Sequence, residues 1–194
     1  MQMMNRVVLG KFLLLLVMFF LVFGFSAQAQ KKKYKDYLIT NKDDTIYGKF
    51  KKPLMGQLRF ESGDDMYELD ASLYKAYYDS NEKKLYERKI INDKPMWLTC
   101  IINGKIKLYE QFYNTSQADG RLIMIRLWMA QKEGTPLMEV MSSGFKVVQN
   151  PKGQENLEYL IRDNENLFNK LQQTINYNYK TVRTYIEAYN SLAQ

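Results

Sequence analysis

From residue 35 to about 141, apolar and polar residues alternate, and turn-forming residues punctuate the pattern about every 8 to 12 positions. After Gly144 the apolar spacing lengthens to three and four. A period of two puts alternate side chains on opposite faces of a strand, whereas a period near 3.6 lines them along one side of a helix. This single change of period predicts an α+β protein: an antiparallel curved sheet or small β-barrel over about 35–148, then two or three helices over about 152–192 packed on it. Short amphipathic helices cannot hide their stripes alone, which is why they must dock. No repeat, low-complexity tract or long linker interrupts 30–194, so one domain is expected.

Within the alternating region, strands are expected at 37–40, 45–51, 58–61, 66–69, 74–78 and 85–91, turned at Asn41-Lys42-Asp43-Asp44, Ser62-Gly63-Asp64-Asp65 and Asp79-Ser80-Asn81-Glu82. Trp97 to Tyr113 reads as a hairpin about Asn103-Gly104, a pair suited to the positive φ angles of a type I′ turn. Arg121 to Ala130 is apolar on both faces, as a central strand covered from both sides would be. Gly134-Thr135-Pro136 then turns the chain toward Leu137 to Met141. Asn150-Pro151 opens a helix carrying Leu157, Leu160 and Ile161. Asp163 is the expected N-cap of a second helix with the stripe Leu167, Phe168, Leu171 and Ile175. After Asn176 to Asn178, a last helix carries Val182, Ile186, Tyr189 and Ala193. That helix is expected to be structural; the rival view makes it a partner-docking element.

The amino terminus has a different character. Arg6 and Lys11 precede an uncharged apolar run from Phe12 to Phe25, and Ala27-Gln28-Ala29 places small residues where a signal peptidase cuts. Residues 1–29 are therefore expected to be a cleavable signal peptide, and the chain to be exported: periplasmic, outer-membrane-associated or secreted. An uncleaved anchor stays open, because the apolar segment can be counted back to Val7 and because Lys31-Lys32-Lys33 follows it. That lysine run reads as a solvated tail with, at most, weak contact with anionic lipid.

The chemistry available to such a chain is narrow. It has no histidine and one cysteine, Cys100, so histidine-based nucleophile systems, histidine zinc sites and an internal disulfide are excluded. Cys100 lies in the apolar run Trp97 to Ile102 and reads as an inert thiol. There is no phosphate-binding glycine loop and no dinucleotide fingerprint, and no cofactor is expected. Loss of Arg6 and Lys11 with the signal lowers the net charge from +7 to +5, too mild an excess to point to nucleic acid. What remains for catalysis is a carboxylate pair or a lysine scheme.

Three residues are weak ligand-binding candidates: Tyr109, Tyr113 and Glu110. The chain has 15 tyrosines, whose apolar bodies and polar tips suit sheet faces and sugar or peptide platforms alike. Glu110 interrupts the apolar face of Ile106, Leu108 and Phe112, where a carboxylate must be paired or mark a site; a salt bridge to Arg121 or Arg126 is the ordinary alternative. The acidic stretch Glu61, Asp64, Asp65, Glu68 and Asp70 lacks calcium-loop spacing and falls on a turn. The pattern favours a non-catalytic envelope binding or accessory protein, its partner an envelope protein, glycan or peptide. A carboxylate-based glycan-active enzyme and a structural component of an envelope complex are the alternatives.

The stretches "YLITNKDDTIYGKF" at 37–50, "INGKIKLYEQFY" at 102–113 and "YIEAYN" at 185–190 together resemble a group of uncharacterised exported proteins of the Bacteroidota. In that group a GDTI-x-G strand pair opens the mature domain and a helical segment ending in Tyr-Asn closes it. Asp43 stands where the group more often has glycine. The resemblance implies a Gram-negative envelope or secreted location and supplies no activity.

Overall fold

The computed structural model describes residues 34–52, 58–116, 119–143 and 151–192. The expected signal segment, the Lys31–Lys33 tail, Asn150 and Ala193 lie outside the described residues. Within them the chain is α+β: ten strands, each antiparallel to its neighbours, followed by three helices. The chain divides into two compact units, one ending at Ser80 and one beginning at Asn81.

The first unit holds β1 (Asp36–Thr40), β2 (Thr45–Lys51), β3 (Arg59–Ser62), β4 (Asp65–Glu68) and β5 (Tyr74–Asp79), in the order β5-β1-β2-β3-β4. Its tyrosines and phenylalanines pack on one another. Phe50 lies 4.9 Å from Phe60 and 5.2 Å from Tyr77, and Tyr37 stacks on Tyr78 at 5.5 Å. Leu38 and Phe60 are fully buried. Gly48 is required by close approach, since a Cβ there would meet the Glu61 carbonyl oxygen and, at 2.7 Å, the Phe60 ring. Asp36 is buried yet satisfied: its carboxylate accepts from the Phe50 N–H at 3.1 Å and the Ser80 N–H at 2.8 Å, tying β1 to the strands on both sides.

The β1–β2 turn falls where expected, and Asp43 takes φ +69° in it, a conformation glycine adopts without cost. Asp43 compensates with an exposed ion pair to Lys75 at 2.6 Å. Gly63, with φ +62°, opens the expected two-residue turn between β3 and β4.

The second unit holds β6 (Lys84–Ile91), β7 (Lys94–Ile102), β8 (Ile106–Ser116), β9 (Leu122–Lys132) and β10 (Met138–Ser143), paired in chain order, then α1 (Pro151–Ile161), α2 (Glu165–Gln172) and α3 (Tyr179–Leu192). The sheet is left unclosed, and register shifts in β7–β8 and β9–β10 bend it. The helices bury Leu157, Leu160, Ile161, Leu171, Val182 and Ile186 against Ile106, Leu108, Trp128, Ala130 and Val140 of β8–β10.

Four local expectations need correction. The type I′ signature sits at Asn92-Asp93, with φ +50° and +61°, closing β6–β7 where Ile91 pairs with Lys94. Asn103-Gly104 does join β7 to β8, but neither residue has positive φ. Gly104 is needed there because the Asn190 side chain of α3 lies against it, leaving no room for a Cβ. Asn190 accepts from the Ile106 N–H at 2.8 Å and donates to the Ile106 carbonyl at 2.9 Å, acting as a one-residue strand partner at the start of β8. Second, β9 is covered on both faces only near Trp128–Ala130; Leu122 and Met124 are 79% and 62% exposed, because β8–β9 runs on past the end of β10. Third, Asn164, not Asp163, caps α2, accepting from the Leu167 N–H at 3.1 Å. Asp163 instead binds Lys132 at 2.7 Å and the Tyr189 hydroxyl at 2.8 Å. Fourth, Ile175 lies beyond the end of α2 and is 95% exposed.

Three stability measurements test these contacts. Ile186 is fully buried, so Ile186→Ala should cost about 2–5 kcal/mol in chemical denaturation; deletion of 178–194 should abolish a cooperative melt of the second unit, and an unchanged melt would make α3 an exposed docking element. Asp43→Gly should be neutral or slightly stabilising, whereas Asp43→Val, a β-branched residue forced to φ +69°, should cost about 1–3 kcal/mol.

Candidate functional site

Because side chains alternate along a strand, the face of β6–β9 opposite the helices receives Glu87 and Lys89 from β6, Leu98 and Cys100 from β7, Lys107 and Tyr109 from β8, and Met129 and Gln131 from β9. Leu98, Tyr109 and Met129 form a small apolar cluster with Cys100 and Leu127 at its margin. Next to it the face turns polar. The Tyr109 hydroxyl donates to Glu87 Oε2 at 2.7 Å, and Lys107 Nζ meets Glu87 Oε1 at 2.7 Å. Lys89 Nζ lies 3.4 Å from Glu87 Oε2, donates to Gln131 Oε1 at 2.8 Å, and sits 4.5 Å over the Tyr109 ring.

These groups perturb one another. Burial alone would raise the Glu87 carboxyl, but hydrogen bonds from Lys107 and Tyr109 and the charges of Lys107 and Lys89 outweigh it and hold it below its ordinary value. Burial lowers the Lys89 ammonium, against the opposing pull of Glu87. Burial and the bond to Glu87 push the Tyr109 phenol up. Cys100 is pushed up to about 11, by burial first and then by the Glu87 charge, and its thiol donates to the Ile102 carbonyl at 3.3 Å. It is a protonated, hydrogen-bonded thiol at neutral pH.

Above the polar group opens a cleft of about 440 Å³, lined by Lys89, Lys107, Tyr109 and Gln131 from the strands and by Gly104, Lys105, Glu133 and Gly134 from the two adjoining turns. Its volume lies in the range of small-molecule sites, about 300–1,000 Å³.

The three residues singled out from sequence fall in different places. Tyr109 lies at the cleft, its ring fully buried. Tyr113, four residues on along the same strand, is 43% exposed toward the far end of β8. Glu110 is on the helix-facing side, as its position in the alternation requires, where it accepts from the Trp128 indole N–H at 3.0 Å and lies 3.6 Å from Arg126 Nε. Glu110 and Tyr109 therefore do not share a site. Tyr74 and Tyr77 are buried in β5 of the first unit, and Tyr109 in β8 of the second. Glu87, Lys89, Lys107 and Gln131 were not anticipated. A signal existed in the pairs Glu87/Lys89 and Lys107/Tyr109, each spaced by two on a strand and so sharing a face. Which strands lie side by side was the missing information.

Among the described residues, no group of three or more His, Cys, Asp or Glu is placed to hold a metal ion, and no helix is long and apolar enough to cross a membrane. The fold and site describe an α+β protein with helices on one face of an open antiparallel sheet and a lysine-lined cleft on the other. No protein-family model, curated protein or solved structure matches the chain.

The Glu87 cluster has a pH signature. A carboxyl whose folded value is depressed contributes stability that is complete above its unfolded value and is lost as pH falls through the folded value. Between about pH 5 and pH 3 the melting temperature of the wild type should fall more steeply than that of Glu87→Gln, which lacks the titrating group. At neutral pH Glu87→Gln should be the less stable, by about 1–4 kcal/mol, since it removes one side of a largely buried ion pair. Parallel pH profiles for the two proteins would count against the assignment.

Proposed function

We propose that this chain is an exported, non-catalytic binding or accessory protein of a Gram-negative cell envelope, and that its binding site is the lysine-lined cleft of the second unit. One observation carries the reading. The buried carboxylate beneath the cleft, Glu87, is engaged by Lys107, Tyr109 and Lys89 and is held low. A glycan-cleaving general acid needs the reverse, a carboxyl raised so that it stays protonated near neutral pH. Glu133, the other carboxylate at the cleft, is exposed at the rim. A preorganised polar wall over a buried tyrosine suits holding a small polar molecule, such as a cell-wall glycan or peptide fragment. The export signal at 1–29 and the resemblance to exported Bacteroidota proteins support the location: periplasmic, outer-membrane-associated or secreted.

The second reading, a structural component of an envelope complex, draws on the outer end of β8–β9, where Phe112, Tyr113, Leu122 and Met124 are all exposed. Cell fractionation of the full chain and titration of the purified mature chain with peptidoglycan and glycan fragments test the first reading. Binding should perturb the Gln131 side-chain amide signals and release no cleavage product. Product release would replace the binding reading with an enzymatic one. Silence at Gln131, together with loss of self-association in Leu122→Ser/Met124→Ser, would favour the structural component.

A further inference from the structure

The charge balance of the cleft is uneven. Two ammonium groups, Lys89 and Lys107, share the single carboxylate Glu87. The sharing is unequal: Lys107 sits at 2.7 Å, while Lys89 is at 3.4 Å, longer than a charge-assisted hydrogen bond, and its close partner is the neutral amide oxygen of Gln131 at 2.8 Å. A third ammonium, Lys105, lies at the mouth and makes no ion pair with the described residues. Glu133 offsets part of this charge and is exposed on the turn that adjoins that of Lys105, each lying one residue beyond the paired strand ends Ile106 and Lys132. The interior of the cleft is thus short of one negative charge, at a place where burial already disfavours the Lys89 ammonium.

The same arrangement fixes the lysines in advance. Lys89 is held by Gln131, by the Tyr109 ring and by Glu87, which Tyr109 in turn fixes through its hydroxyl. Its side chain is only 18% exposed, so little freedom remains to be lost on binding. Among the described residues, a Cβ added at the lining residue Gly134 would meet nothing within 4 Å.

We propose that the cleft is a site for a small ligand bearing a carboxylate or phosphate group, seated between Lys105 at the mouth and the Lys89–Lys107 pair on the wall. Glu87 is a positioning residue, which spaces the two wall lysines and does not itself meet the ligand. The proposal rests on the binding reading above and adds the charge class of the ligand to it. A neutral sugar would leave the missing charge unfilled; an anion fills it and adds an acceptor for Lys89.

The test is titration of the mature chain with inorganic phosphate and, separately, acetate, at constant ionic strength in sodium chloride. It is followed by amide shifts of residues 104–109 and 131–134 and by the Gln131 side chain. Saturable shifts confined to this cleft are expected, and the tighter of the two probes names the ligand group. Lys105→Met should weaken binding by about fivefold and Glu133→Gln should tighten it by a similar factor, each change being about one exposed charge interaction. Both side chains are exposed at turns, so neither variant threatens the fold. Lys75→Met, in the first unit, should change nothing. Shifts spread over surface lysines and indifferent to Lys105→Met and Glu133→Gln would overturn the proposal. If a neutral chitin oligosaccharide moves the same amides while neither anion does, the anionic assignment fails and the binding reading stands. If neither anions nor the oligosaccharide move them, both fail.

Discussion

The first turn of the pleat in β8, Ile106–Tyr109, is covered from both sides, and the second unit is organised around that fact. One set of its side chains, Ile106 and Leu108, receives the helices; the other, Lys107 and Tyr109, builds the wall of the cleft. A strand has only two faces, so the helix-facing alternation and the cleft-facing alternation specify each other. A slip of one residue would send Lys107 into the helix core and Leu108 into the cleft. Asn190 guards against that slip. Its amide pairs with both backbone groups of Ile106, which ties the first residue of β8 to a particular turn of α3.

The helices contribute to the site at a distance. No helix residue lines the cleft, although Asn190 of α3 lies against the lining residue Gly104; the helices pack on β8, β9 and β10 from behind. Gly104 and Gly153 show how tight that docking is. A Cβ on Gly104 would collide with Asn190, and one on Gly153 would stand 2.5 Å from the Val140 carbonyl oxygen. The Tyr177 hydroxyl closes the second contact, its one proton within reach of both the Val140 and Gly153 carbonyls, at 2.8 and 3.0 Å. Asp163, between α1 and α2, adds a polar pin to Lys132 at the end of β9 and to Tyr189 on α3. Pins of this kind place polar groups at the ends of elements, where backbone groups would otherwise lack partners.

The two carboxylates on β8 and β6 illustrate how environment assigns roles. Glu110 and Glu87 sit on opposite faces of the sheet, and both are satisfied by side chains: Glu110 by residues of the adjacent β9, Glu87 by residues of β8 reaching across β7 and by Lys89 of its own strand. Glu110 accepts from Trp128 and lies 3.6 Å from Arg126, which also stacks over Phe112 at 4.6 Å, and the group is a packing device beside the helix core. Glu87 accepts from Tyr109 and two lysines at the edge of an open volume, so its partners, not the carboxylate, face the ligand space. An isolated acidic residue in an alternating pattern marks a place where something must compensate it. The pattern does not say whether the compensation is internal or leaves charge to spare.

Local physics was legible in the sequence. The shift from a period of two to a helical period determined the α+β class and the order of strands before helices. Turn chemistry placed most strand boundaries to within a residue or two, because glycine and aspartate at Gly63 and Asp43 reflect backbone angles that depend on near neighbours alone. Stripes such as Val182, Ile186 and Tyr189 were readable for the same reason. Tertiary structure decided what depends on partners far along the chain. Gly104 served a contact with Asn190, 86 positions away, and not a turn angle; the type I′ turn went to Asn92-Asp93. Leu122 and Met124 were left exposed because β10 pairs with β9 no farther than Arg126. The cleft joins residues from β6, β8 and β9, and its net charge follows from strand order, which places Glu87 within reach of Lys107 and Gln131 beside Lys89. Periodicity reports which face a residue takes. It carries no information on which strand will be its neighbour, and the chemistry of a site assembled across a sheet depends on that neighbour.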